Sequence, residues 1–149
     1  MNLLALLASL LLAFGAAFLG AQSGPGEWYA GLRKPSWNPP GWVFGPVWTV
    51  LYAAMAVAAW RVWKAGDSRP ALALYAVQLA LNAAWSWLFF GLHRPGLAFV
   101  DIVALWAAIL ATTLAFFPKD RAAGWLMVPY LAWVSFAAVL NFTLWRMNP

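Results

Sequence analysis

LAFVDIVALWAAILATTLAFF, Leu97–Phe117, is an apolar run whose one charge, Asp101, lies near an end. At about 1.5 Å per helical residue, a run of roughly 20 residues crosses a hydrocarbon core about 30 Å thick. Turn-forming residues bound it on both sides: His93-Arg94-Pro95-Gly96 before and Pro118–Arg121 after. Working outwards, the same pattern recurs at Asn2–Ala21, Trp42–Trp63, Ala71–Leu92 and Ala122–Trp145. No run carries a charge in its middle, and none shows the ten-residue alternation of a β-barrel. The expected fold is an all-α membrane protein, one domain over residues 1–149, built as a compact bundle of five transmembrane helices. Between the first two helices, residues 22–41 form a long loop rich in Gly and Pro.

The composition agrees. Of 149 residues, 65% are hydrophobic and 9% charged, whereas soluble domains carry about 25% charged residues. So little polar surface cannot cover a water-soluble particle, which makes the chain an integral multi-pass membrane protein. With no Cys, disulfides, thiolate nucleophiles and iron–sulfur clusters are excluded. One His beside four acidic residues gives no protein-built metal centre. The nine basic residues are scattered at segment ends, so no nucleic-acid partner is expected. They divide four (Arg33, Lys34, Arg94, Arg146) against five (Arg61, Lys64, Arg69, Lys119, Arg121), which leaves orientation undecided. The first run lacks the basic start of a secretion signal, and Leu19 opposes cleavage after Ala21. It reads as a retained helix, with a cut after Ser23 as the alternative.

Short connections after the second, third and fourth helices predict antiparallel near neighbours. Small residues at fourfold spacing (Ala54/Ala58, Ala76/Ala80/Ala84, Ala104/Ala108, Ala107/Ala111/Ala115) read equally as helix interfaces or as chance in Ala-rich helices. Pro129 predicts a kink beside Trp133. Twelve Trp exceed ordinary usage, and an interfacial belt explains those near helix ends. Trp48 and Trp133 lie about two turns inside their helices. Near them Tyr52, Gln78, Asn82, Trp85, Tyr130 and Asn141 recur at helical spacing. Two outcomes are open: polar glue between helices, or a cavity of flat rings suited to a large planar apolar ligand. In the second case the 22–41 loop is the cover. Arg33 and Lys34 then either meet ligand carboxylates or anchor to lipid phosphates. His93, in a Pro/Gly turn, lies away from such a cavity.

Several stretches carry a family resemblance. Trp28-Tyr29-Ala30-Gly31-Leu32-Arg33-Lys34-Pro35-Ser36-Trp37-Asn38-Pro39-Pro40 resembles the first-loop motif of the translocator proteins, also called tryptophan-rich sensory proteins or peripheral-type benzodiazepine receptors. The likeness continues at Gly45–Tyr52, Gln78–Trp85, Phe89-Phe90-Gly91, Pro129–Trp133 and Leu140–Arg146, in order and over nearly the whole chain.

The resemblance implies a five-helix bundle, commonly a homodimer, whose first loop closes a pocket. Family members bind protoporphyrin IX, heme and synthetic benzodiazepine or isoquinoline-carboxamide ligands, and many bind cholesterol. Matching positions place Trp28, Trp48, Asn82, Trp133 and Ala137 in the pocket. Trp48 and Trp133 correspond to tryptophans implicated in porphyrin degradation by some bacterial members. The sterol-recognition segment corresponds to Leu140–Arg146, with Phe142 in place of the family's Tyr and Arg146 as its basic end. Loss of that phenol puts cholesterol specificity in doubt, while another membrane lipid still fits the groove. The implied role is a receptor, sensor or carrier of tetrapyrrole homeostasis, with porphyrin or heme as the ligand and no cofactor required. A light- and oxygen-dependent porphyrin-degrading enzyme and a passive lipid or tetrapyrrole transporter are the alternatives. A bacterial cell membrane is the implied location.

Overall fold

A computed structural model describes residues 3–21 and 26–149. Asn2 of the expected first helix and residues 22–25 of the expected cover loop lie outside the described residues. Every regular element among the described residues is helical. They are α1 (Leu3–Ala21), α2 (Gly26–Ala30), α3 (Gly41–Ala65), α4 (Arg69–Ser86, running on through a π turn at Trp87–Gly91), α5 (Pro95–Lys119) and α6 (Arg121–Met147). The short α2 stands in the segment read as loop. α6 runs continuously through Pro129.

Among the described residues, four helices are long and apolar enough to cross a membrane: α3, α4 with its π turn, α5 and α6, at 25, 23, 25 and 27 residues. α1 is apolar too, but its apolar stretch Leu3–Phe18 is shorter than those four. Side chains such as Leu11, Trp42, Val50 and Val100 are exposed on the outer surface. In a membrane they face acyl chains, which explains how apolar residues cover the outside as well as the core.

Neighbours around the bundle run α1, α3, α6, α5, α4 and back to α1. The expectation that sequential helices are near neighbours holds for α4 with α5 and α5 with α6, and is corrected for α3 and α4, which pack little on each other directly. Their connection, Gly66–Ser68, joins only the helix ends. Gly66 takes φ +82°, which favours glycine. Beyond that turn α1 lies between the two backbones, held where Ala13 is fully buried and the Ser9 hydroxyl donates to the Ala56 carbonyl at 2.6 Å. The small residues that permit close approach are Ala13, Ala56, Ala58, Ala98 and Ala123, all fully buried. Ala76, Ala80, Ala104 and Ala107 point outwards instead.

The bundle is closed at the end where α3 meets α4 and α5 meets α6. There Arg61 Nε donates to Asp120 Oδ1 at 3.0 Å, and the same carboxylate caps α6 by accepting from the Ala123 N–H at 2.9 Å. The Arg61 hydrogen bond is the largest influence holding the Asp120 carboxyl below its usual pKa, with the Ala123 bond adding to it. Gly124 lies against Phe117, whose ring would be 2.5 Å from an added Cβ.

Two outcomes follow. Gly124→Ala must displace the Phe117 ring and should lower unfolding stability by about 1–3 kcal/mol. Gly15→Ala, where a Cβ meets open space, should not; thermal unfolding in detergent compares them. Because folding depresses the Asp120 pKa, its contribution is present above about pH 4 and is lost as pH falls through the folded value. Asp120→Asn keeps a capping side chain without the ion pair, so its stability should fall less on acidification, by up to about 1 kcal/mol.

Candidate functional site

At the opposite end the helices diverge around a cavity of about 520 Å³. α3 contributes Phe44, Trp48 and Tyr52; α4 and its π turn contribute Asn82, Trp85, Phe89 and Phe90; α6 contributes Trp133, Ala137 and Leu140. Phe14 of α1, Tyr29 of α2 and Leu105 of α5 complete the apolar wall. Trp48 and Trp133 meet edge to face, centroids 6.5 Å apart at 89°. Phe44 stands edge-on to Trp133 at 5.9 Å. Each ring therefore restrains the next in a favourable geometry. Trp85 stacks on Phe89 at 5.2 Å. The π turn is wider than an α turn, and consecutive Phe89 and Phe90 both line the cavity.

The polar groups are few, and all but one of those named below are held by hydrogen bonds. The Tyr52 hydroxyl donates to Asn82 Oδ1 at 2.5 Å, and Asn82 Nδ2 donates to the Tyr130 hydroxyl at 2.6 Å. Tyr130 donates onwards to Gln78 Oε1 at 2.7 Å. Nearer the open end, Trp85 Nε1 donates to Asn141 Oδ1 at 2.8 Å, and Asn141 Nδ2 donates to the Pro95 carbonyl at 2.9 Å. Trp133 Nε1 is buried without an acceptor. Among the described lining residues there is no carboxylate or imidazole. The site can stack and hydrogen-bond a ligand, but its walls supply no acid–base pair.

Of the residues singled out in the sequence, Trp48, Asn82, Trp133, Ala137 and Leu140 line this cavity together. Trp28 does not. It stacks on His93 at 4.5 Å and 7°, with an edge contact to Phe89, and lines a separate open groove with Arg33. Arg33 is fastened through its backbone, its N–H and carbonyl both bonding the Asn148 amide at 2.9 Å. Lys34 turns back onto the loop, donating to the carbonyls of Tyr29, Ala30 and Leu32, with its ammonium over the Tyr29 ring. Phe142 packs against Phe99 and Trp145 on the outside, and Arg146 is exposed. Tyr29, Phe44 and the pair Phe89/Phe90 were not singled out for the cavity. The rotation of α2 selects Tyr29 over Trp28, and the π turn selects both phenylalanines; neither has a periodic signal.

The sequence matches the TspO/MBR family over residues 4–146. It is 47% identical over 151 residues to the tryptophan-rich protein TspO of Chlorobaculum tepidum, covering 98% of this chain and 96% of that one. It is 48% identical over 145 residues to the tryptophan-rich sensory protein of Cereibacter sphaeroides, covering 97% and 92%. To the human translocator protein it is 47% identical over 139 residues, covering 88% and 82%.

Asn141 joins α4, α5 and α6 at the rim of the cavity. Asn141→Leu strands the Trp85 N–H and the Pro95 carbonyl, and should cost about 1–2 kcal/mol of stability, read as a lower unfolding midpoint in detergent.

Proposed function

This chain belongs to the TspO/MBR family of multi-pass membrane proteins, and from that premise we propose that it binds porphyrins such as protoporphyrin IX or heme as a receptor, sensor or carrier. The observation that carries the reading is the cavity itself, apolar, ring-walled and about 520 Å³, within the range of small-molecule sites. The macrocycle stacks against Trp48 and Trp133, Ala137 leaves room for it where a larger side chain would not, and Asn82 meets a polar group. α1 serves as the fifth membrane span, closing the ring between α3 and α4. Of the long first loop, the described residues 26–41 cover the cavity, with Tyr29 of α2 at its mouth. Lys34 is spent on loop carbonyls and Arg33 lines the neighbouring groove, so of the two basic residues only Arg33 is left to meet a propionate, and only one that reaches out of the cavity. A sterol-like lipid in the same space is the related alternative.

The test is a titration of the detergent-solubilised protein with protoporphyrin IX in the dark, following Trp quenching and the Soret band. Saturable, stoichiometric binding is expected. A folded Trp48→Phe, Trp133→Phe double variant should bind at least about tenfold more weakly, since each indole contributes roughly 0.5–1.5 kcal/mol beyond its area. Binding that never saturates, or is the same in the double variant, would sink the reading in favour of partition into the micelle.

A further inference from the structure

One chain of polar side chains leads from the cavity into the closed half of the bundle. Tyr52 and Asn82 line the cavity; beyond them lie the buried Tyr130, Gln78 and Met55. The far end has a fixed polarity. A thioether sulfur accepts a hydrogen bond and never donates one, and Gln78 Nε2 faces Met55 Sδ at 3.9 Å. Gln78 therefore turns its carbonyl to Tyr130, and the Tyr130 proton goes to Gln78 Oε1. With that proton spent, the Tyr130 oxygen must accept, so Asn82 presents Nδ2 to it. Asn82 then presents Oδ1 on its other side, and the Tyr52 proton is spent there. Reversing Asn82 leaves the single Tyr130 proton between two amide oxygens, so one oxygen pair has none, and reversing Gln78 sets its oxygen against the Met55 sulfur; in a site shielded from water either is costly.

We propose that Met55, Gln78 and Tyr130 are positioning residues that make the Tyr52–Asn82 end of the cavity a hydrogen-bond acceptor, so that this end selects a ligand group bearing a donor, such as a hydroxyl, while the unspent Trp133 N–H is a donor elsewhere in the wall. This rests on the cavity being the ligand site. The Tyr52 oxygen keeps its lone pairs and has no proton left to give, while the N–H side of Asn82 faces Tyr130, which does not line the cavity. A hydroxyl donates into this end; its methyl ether cannot.

The test uses a porphyrin dimethyl ester with hydroxyethyl substituents and the same compound O-methylated, titrated in the dark. The wild type should bind the hydroxyl form about tenfold more tightly, the worth of one hydrogen bond in a dry site. In Gln78→Leu the Tyr130 proton has no acceptor there and turns to Asn82, the amide reverses, and the Tyr52 proton is released towards the cavity. The preference should then collapse or invert. A purely structural effect would weaken both ligands by one factor and leave the ratio standing, which would overturn the proposal, as would equal binding of both by the wild type. Met55→Leu, similar in volume, frees the same polarity should Gln78→Leu not fold. If the wild type binds neither porphyrin, the ligand reading fails. The polarity is then read without ligand from the tyrosine C–O stretch, assigned with Tyr52→Phe. A shift of the Tyr52 band in Gln78→Leu supports the acceptor state, and an unmoved band refutes it.

Discussion

A polar group inside a bilayer has no water to bond, so leaving it without a protein partner is costly. That constraint organises this bundle. Gln78 and Asn82 on α4 are satisfied by Met55 and Tyr52 on α3 and by Tyr130 on α6, across gaps that backbone packing alone does not close. Each such bond adds only about 0.6 kcal/mol on average in a membrane. Its larger consequence is geometric: α3 and α4 are fixed at a separation, with α1 lodged between their backbones.

The two ends of the bundle use different chemistry. At the closed end, small residues and the Arg61–Asp120 pair let helices approach, and Gly124 lies against the Phe117 ring, which an added Cβ would have to displace. At the open end, bulky rings on α3, α4 and α6 keep the helices apart, and their edge-to-face contacts hold the space between them. The cavity is thus an outcome of where large and small residues fall along the same helices. Asn141 secures its rim by joining Trp85 to the Pro95 carbonyl.

The polar residues on the third and fifth apolar runs were open to two readings, glue or cavity lining, and both apply. Gln78 and Tyr130 join helices away from the cavity, while Asn82 does so at its wall. The aromatic first-loop motif was less legible. Adjacent residues on the short α2 point different ways, so Tyr29 reaches the cavity and Trp28 stacks on His93. Lys34 is drawn to three loop carbonyls that exist as a group only once the loop has folded.

Composition and run length by themselves determined a helical membrane protein, because 65% apolar residues in long uninterrupted runs have no soluble solution. Motifs in register identified the family, and helical spacing put Trp48, Trp133 and Asn82 among the interior residues. Tertiary structure alone decided that α1 separates α3 from α4, that the π turn brings Phe89 and Phe90 to one cavity, and which way the protons run from Tyr52 to Met55. Periodicity reports which residues share a face of one helix. The neighbour that face meets, and the donor or acceptor it finds there, depend on residues far away in the chain.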